Sequence, residues 1–204
     1  ILGSRCHRLL SCHLGNGASL AAIEDGVCRD TTMGLTPLDG LMMGTRCGSI
    51  DPATVCYLQR EGGYSYQEVD DMMNKQSGLM GISGLSSDMR DIDKAYEEGN
   101  PRAILARDMY CLRIKKFVGE YAAEMGGVDL IVFTGGVGEN SPETRKEVCE
   151  GLEFMGVHFD RKINEGLRGE NKIISAADSK VKVAVVPTNE ELVIATDTYE
   201  IVNK

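Results

Sequence analysis

What the sequence lacks removes several classes of protein at once. No apolar run in the 204 residues approaches the roughly 18–20 needed to span a bilayer, which argues against a membrane protein. Ile1-Leu2-Gly3-Ser4-Arg5 does not read as a signal peptide. The seven cysteines, at 6, 12, 28, 47, 56, 111 and 149, include no Cys-x-x-Cys pair, so zinc-ribbon and thioredoxin readings lack their key spacing. No Gly-Lys dipeptide occurs either, and a P-loop requires one. Positive charge is also in short supply. Lys and Arg number 22 against 31 Asp and Glu, a net charge of −9, which argues against a protein whose main work is gripping nucleic acid phosphates. A local basic pocket for a small phosphate ligand remains open.

What is present is ordinary for a globular chain: 42% apolar and 26% charged residues. The length suits one domain or two small ones, with about 70–75% of the unfolded surface buried on folding. Scattered single thiols and three histidines fit a reducing cytoplasm. The chain opens without Met and runs almost directly into a strand, which points to a fragment of something longer.

The patterning predicts an α/β domain. Residues 8–12 and 19–23 read as strands, and Asp25-Gly26 is a hairpin turn leading to a third at 27–30. Residues 31–49, rich in Gly, Thr and Met, read as a long ordered loop with a helical turn. Asp51-Pro52 starts a helix, Ser65 and Glu68 form a capping box, and Ser87 is expected to cap a helix over 88–98. From 102 to 125, apolar residues recur every three or four positions, the mark of one buried helical face. Residues 128–133 form a nearly continuous apolar strand, as a central strand should. A loop over 134–140 precedes a helix opened by Ser141 and Pro142. Strands near 172–176 and 182–186 and a helix from 189 to about 201 complete the chain. No internal repeat, linker or low-complexity tract interrupts it.

Four segments carry chemistry. Thr134-Gly135-Gly136-Val137-Gly138-Glu139-Asn140 delivers glycines from a buried strand toward a helix N-terminus. Such a turn can aim free amides at an anion, or it can be an ordinary tight turn. His13-Leu14-Gly15-Asn16-Gly17 is a second glycine loop, with either a catalytic or a surface histidine. Arg46 lies among Gly, Thr and Met, where it could steady a planar phosphoryl group or pair with Asp39 or Asp51. Asp88-Met89-Arg90-Asp91 could hold an adenine or ribose, or form a solvated helix face.

Taken together, five motifs become specific: His-Leu-Gly-Asn-Gly-Ala-Ser (13–19), Thr-Pro-Leu-Asp-Gly-Leu-Met-Met-Gly-Thr-Arg (36–46), Ser-Ser-Asp-Met-Arg-Asp (86–91), Phe-Thr-Gly-Gly-Val-Gly-Glu-Asn (133–140) and Thr-Asn-Glu-Glu (188–191). In this order they closely resemble the C-terminal half of the acetate kinases, over essentially the whole chain. The resemblance implies a ribonuclease-H-like, actin-like ATPase domain with a mixed sheet flanked by helices, belonging to the acetate and sugar kinase/actin superfamily. It implies ATP-dependent phosphorylation of acetate to acetyl phosphate, with Mg²⁺ and ATP or ADP.

Residue by residue, His13 and Arg46 match the family's catalytic His and Arg. Asn16, Gly17, Gly135, Gly136, Val137, Gly138 and Asn140 match its nucleotide loops, and Asp88, Met89 and Arg90 its adenosine pocket. Glu190 matches the magnesium-associated Glu, with Glu191 beside it as the alternative. Cys47 and Ser49 stand where the family often has Ser and Asp. The resemblance also implies a homodimer, a cytoplasmic location and an N-terminal domain, absent from these 204 residues, that supplies the acid pocket and a catalytic Asp. An isolated chain would then be inactive. A propionate or butyrate kinase, or a non-catalytic nucleotide-binding or dimerisation module, is the alternative reading.

Overall fold

A computed structural model describes residues 6–203; the opening segment Ile1–Arg5, read above as no signal peptide, lies outside the described residues. Nine α-helices and six strands are seen among them. The strands are β1 (Arg8–Leu14), β2 (Ala18–Glu24), β3 (Val27–Thr31), β4 (Leu130–Thr134), β5 (Lys172–Ile173) and β6 (Lys182–Val185). They form one sheet in the order β3-β2-β1-β4-β6-β5. The β1-β2-β3 meander is antiparallel, whereas β1, β4 and β6 are mutually parallel neighbours. This mixed sheet with helical flanks is the α/β architecture that the sequence predicts.

The meander follows from local chemistry. Asp25 and Gly26 both take positive φ, 53° and 82°, as a tight turn between right-twisted strands demands. In β1, Leu10, Cys12 and Leu14 are fully buried at period two. In β4, Leu130, Ile131 and Phe133 are all buried, so the apolar run is a central strand as expected.

Helices α1 (Ala53–Gly62), α2 (Tyr66–Lys75), α3 (Gly78–Ser83) and α4 (Met89–Glu97) lie between the meander and the long α5 (Pro101–Glu124). The Ser65–Glu68 capping box is present. Asp88, not Ser87, caps α4: its side chain accepts from the Arg90 amide. Helix α5 is capped by Asn100 and buries Ala103, Ala106, Tyr110, Cys111, Ile114, Val118 and Tyr121. Arg107 shares that face, its guanidinium 4.2 Å from the Tyr96 ring centre and within 3.4 Å of Asp93 and 3.3 Å of Glu147.

After β4 come α6 (Gly135–Asn140), α7 (Pro142–Cys149), α8 (Arg161–Asn164) and α9 (Glu190–Val202). Segment 135–140 is thus helical, correcting the expected loop. Helix α9 has no buried residue, and Leu192, Val193, Ile194, Tyr199, Ile201 and Val202 all face outward. No helix among the described residues is long and apolar enough to cross a membrane.

Candidate active site

In an open sheet, ligands bind beyond the carboxyl ends of parallel strands, where the strand order reverses. Here that point lies between β1 and β4. Their register pairs His13 with Thr134, so loop 15–17 and helix α6 leave the sheet side by side. Segment 186–190 leaves β6 at the same end, because β6 runs parallel to β4.

The loop after β2 and β3 closes on this edge without secondary structure of its own. Its segment 40–49 is pinned by backbone bonds: Leu79 N to Met43 O at 2.9 Å, Ser77 N to Thr45 O at 2.9 Å and Cys47 N to Met73 O at 2.9 Å. Gly44 donates its amide to Asn16 O at 3.0 Å, and a Cβ there would lie 2.0 Å from Asn16 Oδ1. Only glycine permits that approach. The result presses the Arg46 loop against the Asn16 loop.

Two cavities follow. The smaller, about 340 Å³, is lined by His13, Asn16, Gly17, Met33, Pro37 and Arg46 among others. The Arg46 side chain donates through Nη1 to Pro37 O at 3.2 Å and reaches Met43 Sδ at 3.7 Å. Neither Asp39 nor Asp51 pairs with it. Asp39 accepts from Ser49 Oγ and from the Gly40 amide, and Asp51 accepts from the Ala53 amide. Ser49 thus serves Asp39, while Cys47 turns its thiol to the Gly48 carbonyl.

The larger cavity, about 710 Å³, brings together Asn16, Asp88, Met89 and Arg90 on one side and Gly136, Val137 and Asn140 on the other. It shares Gly15 and Asn16 with the smaller one. Arg90 grips Asp88 through Nε and Nη2, at 3.0 and 2.5 Å, and this bonding holds the Asp88 carboxyl below its ordinary range. Deeper in, burial pushes the Asp93 carboxyl up to about 6, against the opposing pull of Arg107.

Gly135 and Gly138 line neither cavity; they are buried beneath. Gly135 has φ +76°, and a Cβ on it would come within 2.8 Å of Leu14 O. Its amide is not free for an anion, because Glu139 Oε1 accepts from it at 2.9 Å. The same oxygen accepts from Thr188 N at 2.9 Å and Thr188 Oγ1 at 3.1 Å. Glu139 thereby ties segment 188–190 to the start of α6.

Glu190 is exposed at the start of α9 and lines neither cavity. No group of three or more His, Cys, Asp or Glu side chains that could hold a metal occurs among the described residues.

Sequence reasoning missed Asp93, Lys94, Glu97, Glu143 and Arg168, which also line the larger cavity. None sits in a glycine loop. Asp93 and Glu97 were legible only as points one and two turns beyond Met89 on α4.

Comparison with known proteins places the chain in a family. The acetokinase family pattern matches residues 3–196. The chain is 58% identical to the acetate kinase of Phocaeicola vulgatus over 197 residues, 97% of this chain and 49% of that one. The crystal structure of Porphyromonas gingivalis acetate kinase superposes with a TM-score of 0.93 at 53% identity, covering 96% of this chain and 49% of the other. A propionate kinase from Francisella tularensis gives 0.88 at 41% identity, covering 95% and 49%. The chain therefore spans about half the length of the relatives it matches, and it carries their α/β fold. It belongs to the acetokinase family.

Proposed function

We propose that the chain is the C-terminal, nucleotide-binding half of an acetate kinase, which converts ATP and acetate reversibly to ADP and acetyl phosphate. The observation that carries this reading is the junction of the two cavities at Gly15 and Asn16. A nucleotide lying in the larger cavity would direct its terminal phosphate through that neck toward His13 and Arg46. Relatives at 53–58% identity that are named acetate kinases favour acetate over propionate as the acid.

The reaction is an in-line displacement. An acetate carboxylate oxygen forms the new P–O bond as the bond between the γ-phosphorus and the β,γ-bridging oxygen breaks, and ADP leaves. Little covalent chemistry is asked of the protein, so positioning and charge stabilisation dominate. Arg46 is suited to the planar group in flight, since its fork is anchored at one nitrogen only. His13, across the same cavity, would donate to an equatorial phosphoryl oxygen. Asn16 and Gly17 would border the phosphates, Asp88, Met89 and Arg90 one side of the nucleoside, and Gly136, Val137 and Asn140 the other. Mg²⁺ with the nucleotide would neutralise phosphate charge, held from this chain by Glu190, or by Glu191 beside it. The acid pocket and further catalytic groups would come from an N-terminal domain.

Seven free cysteines support a reducing, cytoplasmic setting. The stripe of Leu105, Met109 and Leu112, exposed along α5, supports a homodimer joined at this half. Light scattering of the 204-residue chain should then give about twice its 22.2 kDa; a monomer at micromolar concentration would reject the dimer. A hydroxamate assay on the full-length protein tests the activity. Acyl phosphate should form from acetate and ATP, and its absence would sink the proposal.

A further inference from the structure

Behind the larger cavity lies a charge with no ion-pair partner among the described residues. Arg145 on α7 is 0% exposed. Its guanidinium donates to Asn164 Oδ1 at 2.8 Å, Gly138 O at 2.8 Å and Leu167 O at 2.7 Å, all neutral acceptors. Burial pushes it down to about 10, so it is still protonated at neutral pH. Burying an ion without a counter-charge is expensive, and the three acceptors show what the expense secures. Gly138 belongs to α6, a wall of the cavity. Asn164 ends α8 and donates its own Nδ2 to Pro142 O at 2.8 Å. Leu167 lies in the turn after α8, which is held to α6 a second time by Gly169 N on Glu139 O at 3.2 Å.

The residue that follows Leu167 is Arg168, which is exposed and lines the cavity. One of its nitrogens donates to Asn140 O, which tethers one end of the guanidinium. Unlike Arg90, which is committed to Asp88, it has no carboxylate within ion-pair distance among the described residues. Its place along the cavity matters. Gly136, at the start of α6, sits at the end nearer the neck. Asn140, four residues on, lies about 6 Å along the helix from Gly136 at a helical rise of about 1.5 Å per residue. Arg168, bonded to Asn140, therefore stands at the opposite end of α6 from Gly136.

We propose that Arg168 packs its guanidinium plane against the base of the bound nucleotide, and that Arg145 is the positioning residue that holds it there. The inference rests on the nucleotide site proposed above and adds residues to it. The side chain's chemistry suits this role, because a guanidinium is planar and weakly hydrated, and it stacks on aromatic rings in a way an ammonium does not.

The test compares the affinity of the full-length protein for adenosine, ADP and pyrophosphate. Arg168→Gln, at an exposed position where folding is not at risk, should weaken adenosine and ADP by the same factor, about three- to thirtyfold, and leave pyrophosphate unchanged. Arg168→Lys should not restore binding. Arg145→Lys, which keeps the charge and loses the fork, should weaken adenosine on its own yet add little on top of Arg168→Gln. Wild-type adenosine affinity in Arg168→Gln would overturn the contact. Loss of ADP binding with adenosine untouched would move Arg168 to the phosphates and overturn the assignment to the base. Additive losses in the double variant would overturn the positioning role. A wild-type protein that binds pyrophosphate but no adenosine or ADP would overturn the nucleotide site itself, and this proposal with it.

Discussion

The two cavities differ in how far the chain has already built them. In the larger one, several polar side chains are already engaged: Arg90 on Asp88, Asn140 on the Gly136 carbonyl, Ser141 on Thr144, and Arg145 bracing the wall from behind. In the smaller one, Arg46 is held by a single carbonyl and a sulfur. The first resembles a preformed binding site, shaped before its ligand arrives. On the function proposed above, the second would hold donors in reserve for charge that develops only during reaction. One chain thus carries a finished pocket beside an unfinished one.

The sharpest challenge to that contrast is Arg46→Ala in the full-length enzyme. Losing one donor to developing charge typically costs about 10²–10³ in kcat, roughly 3–4 kcal/mol, and ADP affinity should barely change because Arg46 lies outside the larger cavity. Arg46→Lys should not rescue turnover. An Ala variant with near-normal kcat, or one that loses ADP binding instead, would show that the two cavities do not divide the work this way.

The second prediction probes strain inside the finished pocket. Asp93 is raised to about 6 by burial, with Glu143 of α7 and Glu97 of α4 adding to the rise and Arg107 of α5 and a bond from Ser141 opposing it. An unfolded Asp titrates near 3.9, so between about pH 4 and 6 the folded state binds more protons. Stability from this group therefore falls as pH rises through that window, and the loss is complete above it. Asp93→Asn removes the slope. Its stability relative to wild type should improve by about 2–3 kcal/mol between pH 4 and pH 7, read from denaturant midpoints at both. A difference that ignores pH would remove Asp93 as a source of strain.

Much of this was legible before the fold was known. The Asp25-Gly26 hairpin, the Ser65 capping box, the apolar periodicity of α5 and the buried run of β4 are local signals, and the structure keeps them. What escaped was held together at a distance. Helix α3 has no side-chain cap; its early amides, those of Leu79 and Met80, go to Met43 O and Gly44 O, thirty-six residues upstream in each case. Helix α6 contains three glycines in six residues, each costing about 1 kcal/mol against Ala in a helix. It forms nonetheless because Glu139 takes the Gly135 amide and Arg145 takes the Gly138 carbonyl. Arg168 reaches the cavity only because α8 and its turn fold back on α6, which no local pattern announces. For the site, the isolated residues left alternatives open: Arg46 could have paired with Asp39 or Asp51. Five motifs in one order narrowed the choice to a family; four of them contribute residues to the two cavities, and the fifth, at 188–191, lines neither.

If the contrast between the cavities is right, this chain builds a nucleotide pocket by itself and lacks a complete reaction centre. Calorimetric titration of the 204-residue chain with Mg-ADP, alongside an assay of acetyl phosphate formation on the same sample, addresses both halves of that statement at once. We expect weak saturable binding, because the proposed N-terminal domain would supply the opposite wall of the cleft and without it the charged contacts stay in water, and no turnover above a blank. Indifference to millimolar Mg-ADP, or turnover by the chain alone, would refute it.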